Sequence, residues 1–252
     1  MSFRYSPIGP IKILQKLQQS HSLGNYLLVL AHDVLDHEAD YVFLLDELPL
    51  ATQPPLVIMD NGVIELGKAM PFEHVVAAAD IAMADCIVMP DVLGDFQATQ
   101  QAVKAELSKM DDSDYPIMKV PQGEDPSAIV RCIEWLMDVV PPKDGQLDYW
   151  GIPRWIANKH HTRKPYIEYI NRVCQAPQIH LLGMSHNFPD DVACAHMDNV
   201  MGIDSANPIV CGLADRFMGF EFEHMPRGDY WDKTDVNYNV LRNIKYVRNA
   251  FV

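Results

Sequence analysis

Hydrophobic residues along the chain fall into short runs that close on a polar residue roughly every 30 residues, the length of one strand-plus-helix unit. The runs are Tyr26–Ala31 closing on His32-Asp33, Leu56–Met59 closing on Asp60-Asn61-Gly62, and Cys86–Pro90 closing on Asp91. They continue with Pro116–Pro121 closing on Gln122-Gly123 and Leu147–Pro153 closing on Arg154. Gln178–Met184 then closes on Ser185, and Val200–Ile203 on Asp204. Between them, 72–84, 96–110 and 127–140 carry apolar residues three or four apart among helix-favouring Ala, Glu, Gln and Lys, which predicts helices. Asp125-Pro126-Ser127 reads as a helix start, and Pro141-Pro142-Lys143-Asp144-Gly145 as a stop and loop.

Strand alternating with helix predicts an α/β protein with a parallel sheet, and the length suits a TIM-like (β/α)8 barrel of about 250 residues. The eighth strand is weakly marked. Met218–Phe222 is its candidate, and an irregular barrel is the alternative. Ile8–Leu17 and Val236–Val252 read as helices closing the two ends. No low-complexity stretch or linker interrupts the pattern, so a single domain over 1–252 is expected. In a parallel barrel the C-terminal strand ends share one face. Asp60, Asp91, Gln122, Arg154, Ser185 and Asp204 are therefore expected in one pocket.

Charge narrows the partners. The chain carries 34 Asp and Glu against 20 Lys and Arg, net −14, which counts against broad nonspecific nucleic-acid binding. One stretch runs the other way. Arg154–Arg172 holds Arg154, Lys159, Arg163, Lys164 and Arg172 against Glu168, with Trp155, Tyr166 and Tyr169 interleaved. A solvated helix face is the plain reading, and a phosphate-contact surface the sharper one. The same two readings apply to Arg242, Lys245 and Arg248 near the C-terminus. Five scattered cysteines without a C-x-x-C pair argue against a disulfide framework and a structural zinc site. No apolar run is long enough to span a bilayer and the N-terminus lacks a signal-peptide core, so a cytoplasmic protein with no membrane partner is expected.

At the strand ends, carboxylates dominate. Asp60 before Asn61-Gly62 either satisfies a tight turn or faces a pocket, and Asp91 either caps the following helix or does the same. Gln122 has little turn propensity, and its amide both donates and accepts, which suits reading a base edge. A carboxylate such as Asp204 can attack an anomeric carbon, with Asp60 as acid/base partner. The histidines show no H-x-H or H-E-x-x-H pattern, so no metal is expected. His180, inside an apolar run, reads as a satisfied core histidine. No G-x-G-x-x-G or P-loop is present, and no cofactor is expected.

Taken in order, Asp60-Asn61-Gly62, Pro90-Asp91, Val120-Pro121-Gln122-Gly123, His180-Leu181-Leu182-Gly183 and Gly202-Ile203-Asp204-Ser205 resemble the tRNA-guanine transglycosylase superfamily. The resemblance is closest to its short phage-type branch, the 7-deazaguanine DNA transglycosylases, and spans residues 56 to 210. It implies a (β/α)8 barrel that exchanges guanine for a 7-deazaguanine base through a covalent aspartyl-glycosyl intermediate. It assigns Asp204 as nucleophile and Asp60 as acid/base. Asp91 would take the N–H edge of the base, while Gln122 and the backbone N–H of Gly183 would meet its carbonyl. Asn61 and Gly123 belong to the same motifs. Arg154, Lys159, Arg163 and Lys164 would contact nucleic acid. The C-x-C-x-x-C…H zinc subdomain of the tRNA enzymes is missing, and the chain is shorter, which favours DNA over tRNA as partner. Where the tRNA enzymes carry a second acid, in G-V-D-x-F-D, this chain has Asn207. A homodimer is compatible with this reading. The competing readings are a tRNA-directed enzyme, a nucleoside or glycoside hydrolase, and an inactive partner subunit.

Overall fold

The aliphatic and β-branched runs form strands, and the amphipathic stretches between them cover those strands. The structure, a computed structural model, describes residues 3–48, 55–218 and 230–251. Its strands are β1 (Arg4–Pro7), β2 (Tyr26–Leu30), β3 (Leu56–Asp60), β4 (Cys86–Val88), β5 (Ile117–Met118), β6 (Tyr149–Pro153), β7 (Gln178–Leu182) and β8 (Val200–Ser205). The helices up to β6 are α1 (Ile11–Gln19), α2 (Ala31–Asp36), α3 (Glu38–Asp46), α4 (Val63–Leu66), α5 (Phe72–Ala82), α6 (Phe96–Asp112) and α7 (Pro126–Val139). After β6 come α8 (Arg154–His160), α9 (Lys164–Val173), α10 (Phe188–Ala195), α11 (Asn207–Leu213) and α12 (Tyr238–Ala250).

All pairings are parallel and make two four-stranded sheets, ordered β1-β8-β7-β6 and β2-β3-β4-β5. Two sets of bonds link the sheets. Lys119, just past β5, donates its N–H to Tyr149 O and accepts from Gly151 N. At the other side, Leu28 N of β2 donates to Ser6 Oγ of β1 at 2.8 Å. A continuous apolar core runs through both sheets, from Tyr5 and Leu28 to Trp150, Ile179 and Ile203.

The seven expected runs all contain strands, although β5 is reduced to two residues. Asp125 caps α7 by accepting from Ala128 N at 2.8 Å. The eighth strand departs from the expectation. It is β1, Arg4–Pro7, which pairs with β8 in the register Ser6 opposite Asp204. Met218 is buried outside any strand, and the rest of the Met218–Phe222 segment lies outside the described residues. A bulge interrupts β7–β8. Ile179 faces Val200 while His180 faces Gly202, so β8 carries one extra residue there. Bulges re-aim side chains beside functional sites, and the extra residue here, Met201, lies three residues before Asp204.

Candidate active site

The strand ends surround a cavity of about 290 Å³, at the small end of ligand pockets. Its polar wall includes Asp60, Glu65, Asp91, Arg154, Asn158 and Asp204; Leu28, Leu30, Val88, Val120 and Leu182 make much of the apolar wall, with Trp155 beside them. Three of the predicted carboxylates therefore meet in one place, delivered by β3, the loop after β4, and β8.

Asp60 ends β3. It accepts from Gly62 N at 2.9 Å, closing the turn that leads into α4. Gly62 sits at φ +73°, a backbone conformation glycine adopts without strain. Burial pushes the Asp60 carboxyl well above the usual range, and Glu65, Asp91 and Asp204 push it further the same way. The site therefore favours the protonated form of the Asp60 carboxyl.

Asp91 is almost fully buried. Burial pushes it up to about 6, although both its oxygens receive amide donors: Asn61 Nδ2 at 2.8 Å on Oδ1 and Gln122 Nε2 at 2.6 Å on Oδ2. Asp91 does not cap α6. Asp95 does, accepting from Ala98 N at 2.9 Å. Asn61 also donates to Met89 O and accepts from Val63 N, so its amide is fully engaged.

Gln122 departs from the expected role. It is completely buried, does not line the cavity, and its Oε1 accepts from Gly94 N at 2.8 Å and Trp155 Nε1 at 2.6 Å. It holds Asp91 on one side and the indole of Trp155 on the other. Gly123 is a packing position: a Cβ there would fall 2.6 Å from Ile129 N at the start of α7.

Asp204 receives two hydrogen bonds on one oxygen, from Gly183 N at 2.8 Å and His180 Nε2 at 2.9 Å, both on Oδ1. Gly183 therefore spends its N–H on Asp204 rather than on a base carbonyl. Its α-carbon, at φ +73°, lies under the Arg154 side chain, whose Cδ would be 2.8 Å from an added Cβ. His180 is buried and satisfied as expected of a core histidine, but its partner is the candidate nucleophile. Its other nitrogen, Nδ1, meets Tyr26 Oη at 2.5 Å. Nothing local to the sequence of β7 marks this, because the partners lie 154 and 24 residues away.

The basic stretch divides. Arg154 lines the cavity. Lys159 and Lys164 are exposed; Lys159 reaches Glu124 O and lies 5.9 Å from the Trp155 ring, and Lys164 pairs loosely with Glu168 at 3.8 Å. Arg163 is not a surface cation. It is fully buried, ion-paired with Asp191, and donates to Ile152 O and Gly183 O. Ser185 also leaves the expected pocket: it is buried and hydrogen-bonds Asp191 through both its N–H and its hydroxyl. Asn207 is buried in α11 and does not line the cavity.

No family model matches this chain, and no curated protein matches it. Among the described residues no cluster of His, Cys, Asp and Glu could hold a metal ion, and no helix is long and apolar enough to cross a membrane.

Proposed function

We propose that the cavity performs base exchange at a glycosidic carbon, replacing guanine with a 7-deazaguanine base in DNA, on a (β/α)8 barrel closed by the Lys119–β6 and Ser6–β2 links. The observation that carries this reading is the convergence of three carboxyl groups, each with its own hydrogen-bond partners, in one small, largely apolar cavity. Asp204 presents Oδ2, the oxygen without a hydrogen bond among the described residues, to the sugar. Burial and the neighbouring carboxylates favour the protonated form of Asp60, which would supply the proton the departing guanine needs.

In the first half-reaction Asp204 Oδ2 bonds to C1′ as the C1′–N9 bond breaks, and the proton of Asp60 passes to the leaving base. In the second, Asp60, now a carboxylate, takes the N9 proton of the incoming 7-deazaguanine. Its N9 then bonds to C1′ and the ester to Asp204 breaks. Asp91 accepts from the N–H edge of either base. Because Gln122 and the Gly183 N–H are engaged, the base carbonyl takes its donors from Arg154 and Asn158, and Trp155 offers a flat wall.

Labelled guanine and a 7-deazaguanine, offered with DNA and in parallel with tRNA, test the proposal. The expected result is label in DNA, lost in Asp204→Ala. Label in tRNA alone would move the substrate to tRNA. One observation favours a second reading, hydrolysis of a free nucleoside: with Arg163 buried, the cationic surface beside the cavity is smaller than the sequence suggests. Release of free sugar without exchange would establish it.

A further inference from the structure

We propose that Tyr26 and His180 form a buried relay behind Asp204 that fixes His180 as the neutral Nε2–H tautomer, assigns Oδ1 as the bound oxygen and leaves Oδ2 for the sugar. His180 is then a positioning residue. Its catalytic meaning rests on the base-exchange reading, whereas its tautomer does not.

Hydrogen counting carries the argument. Tyr26 Oη has one hydrogen, and His180 Nδ1 at 2.5 Å is its hydrogen-bond partner among the described residues. Burial holds the Tyr26 phenol well above its usual range, so the hydroxyl keeps that hydrogen. If Nδ1 also carried one, it would donate to Oη and the hydroxyl's own hydrogen would lack an acceptor in a fully enclosed position, which costs more than a normal hydrogen bond gains. With Nδ1 bare, Tyr26 donates to it. Nε2 then carries the ring hydrogen and donates to Asp204 Oδ1 at 2.9 Å. A neutral donor leaves the charge of Asp204 intact, where an imidazolium would neutralise it.

The strands make room for this chain. His180 faces Gly202 because of the bulge between β7 and β8. A Cβ on Gly202 would fall 2.5 Å from Tyr26 Cε1 and 2.6 Å from Arg4 O. The Tyr26 ring thus occupies the volume that any side chain at 202 would need. Arg4 lies over the same ring, its Cζ 4.7 Å from the centroid. Gly183 adds the second donor to the same oxygen, and its own carbonyl is held by Arg163.

Two readouts on the full chain test the inference. In histidine-15N-labelled protein at neutral pH, long-range proton–nitrogen correlations should show His180, assigned by its loss in His180→Gln, protonated at Nε2 and bare at Nδ1. Protonation at Nδ1, or at both nitrogens, overturns the relay whatever the activity. In the exchange assay, His180→Leu should lower kcat about 10- to 150-fold with KM for the base unchanged, the worth of one hydrogen bond to a charged group. His180→Gln should stay within about threefold of wild type, since its Oε1 can accept from Tyr26 and its Nε2 donate to Asp204. A folded His180→Gln as impaired as His180→Leu overturns the positioning role. The Nε2–H tautomer in a wild-type protein without exchange activity supports the relay and overturns the base-exchange reading.

Discussion

Asp91 should make the protein less stable as pH rises from 4 to 6, against the usual behaviour of a hydrogen-bonded carboxylate. Its carboxyl is pushed from 3.8 up to about 6, with burial outweighing the Asn61 and Gln122 amides. Unfolded, it releases its proton near its ordinary value; folded, it keeps the proton to about 6. Between those values the native state binds more protons, so stability falls as pH rises and levels off above about 6. At about 1.4 kcal/mol per pH unit the loss totals about 3 kcal/mol.

Urea unfolding of wild type and Asp91→Asn at several pH values from 4 to 8 isolates this contribution. The Asn amide would face a donor, Asn61 Nδ2 or Gln122 Nε2. Gln122 cannot turn to relieve this without losing Gly94 N and Trp155 Nε1. That conflict costs about 1–3 kcal/mol at every pH. The signal is therefore the slope of the difference: wild type should lose about 2.5 kcal/mol relative to the variant between pH 4 and 7. A difference that stays constant within about 0.5 kcal/mol, or that moves in favour of wild type as pH rises, would refute the argument that burial dominates at Asp91.

Asp60→Asn should gain stability relative to wild type between pH 4 and pH 8, because the unfolded wild-type carboxyl releases its proton near its ordinary value while the folded one keeps it, and it should abolish base exchange; calorimetry and the label assay check each half. Arg163→Ala should cost about 3–5 kcal/mol in urea unfolding by leaving Asp191 buried without its partner. Lys159→Ala and Lys164→Ala should each fall within about 0.5 kcal/mol of wild type. Gly202→Ala should cost about 1–3 kcal/mol as the Tyr26 ring and β1 are displaced.

Position was legible in the sequence, and partnership was not. Apolar runs that end on Asp60, Asp91 and Asp204 announce three strand ends on one face, and all three carboxylates line the cavity. The strand Arg4–Pro7 could not be read that way: four residues with an Arg and a Ser make no apolar run, and only pairing with β8 defines it. Gln122 shows an amide at a strand end, but whether it meets a ligand depends on Asp91 and Trp155, 31 and 33 residues away. Arg163 sits among cations and reads as exposed, yet Asp191, 28 residues later, draws it inside. His180 looks like any core histidine until the bulge sets it against Asp204.

The withdrawal of Arg163 also bounds how this acidic protein could hold a polyanion. Of the four cations expected to contact nucleic acid, Arg154 lines the cavity and Lys159 and Lys164 are exposed, enough for about three phosphates, each releasing counterions. Three such contacts imply roughly a 40-fold loss of affinity between 50 and 200 mM salt, shallow for a nucleic-acid enzyme. Most of the binding would then come from the base itself, enclosed against Trp155 and matched to Asp91, which favours an unpaired or flipped nucleotide over a paired one. A measured salt slope much steeper than three contacts would place the polymer on cations outside this stretch, Arg242 and Lys245 of α12 among them.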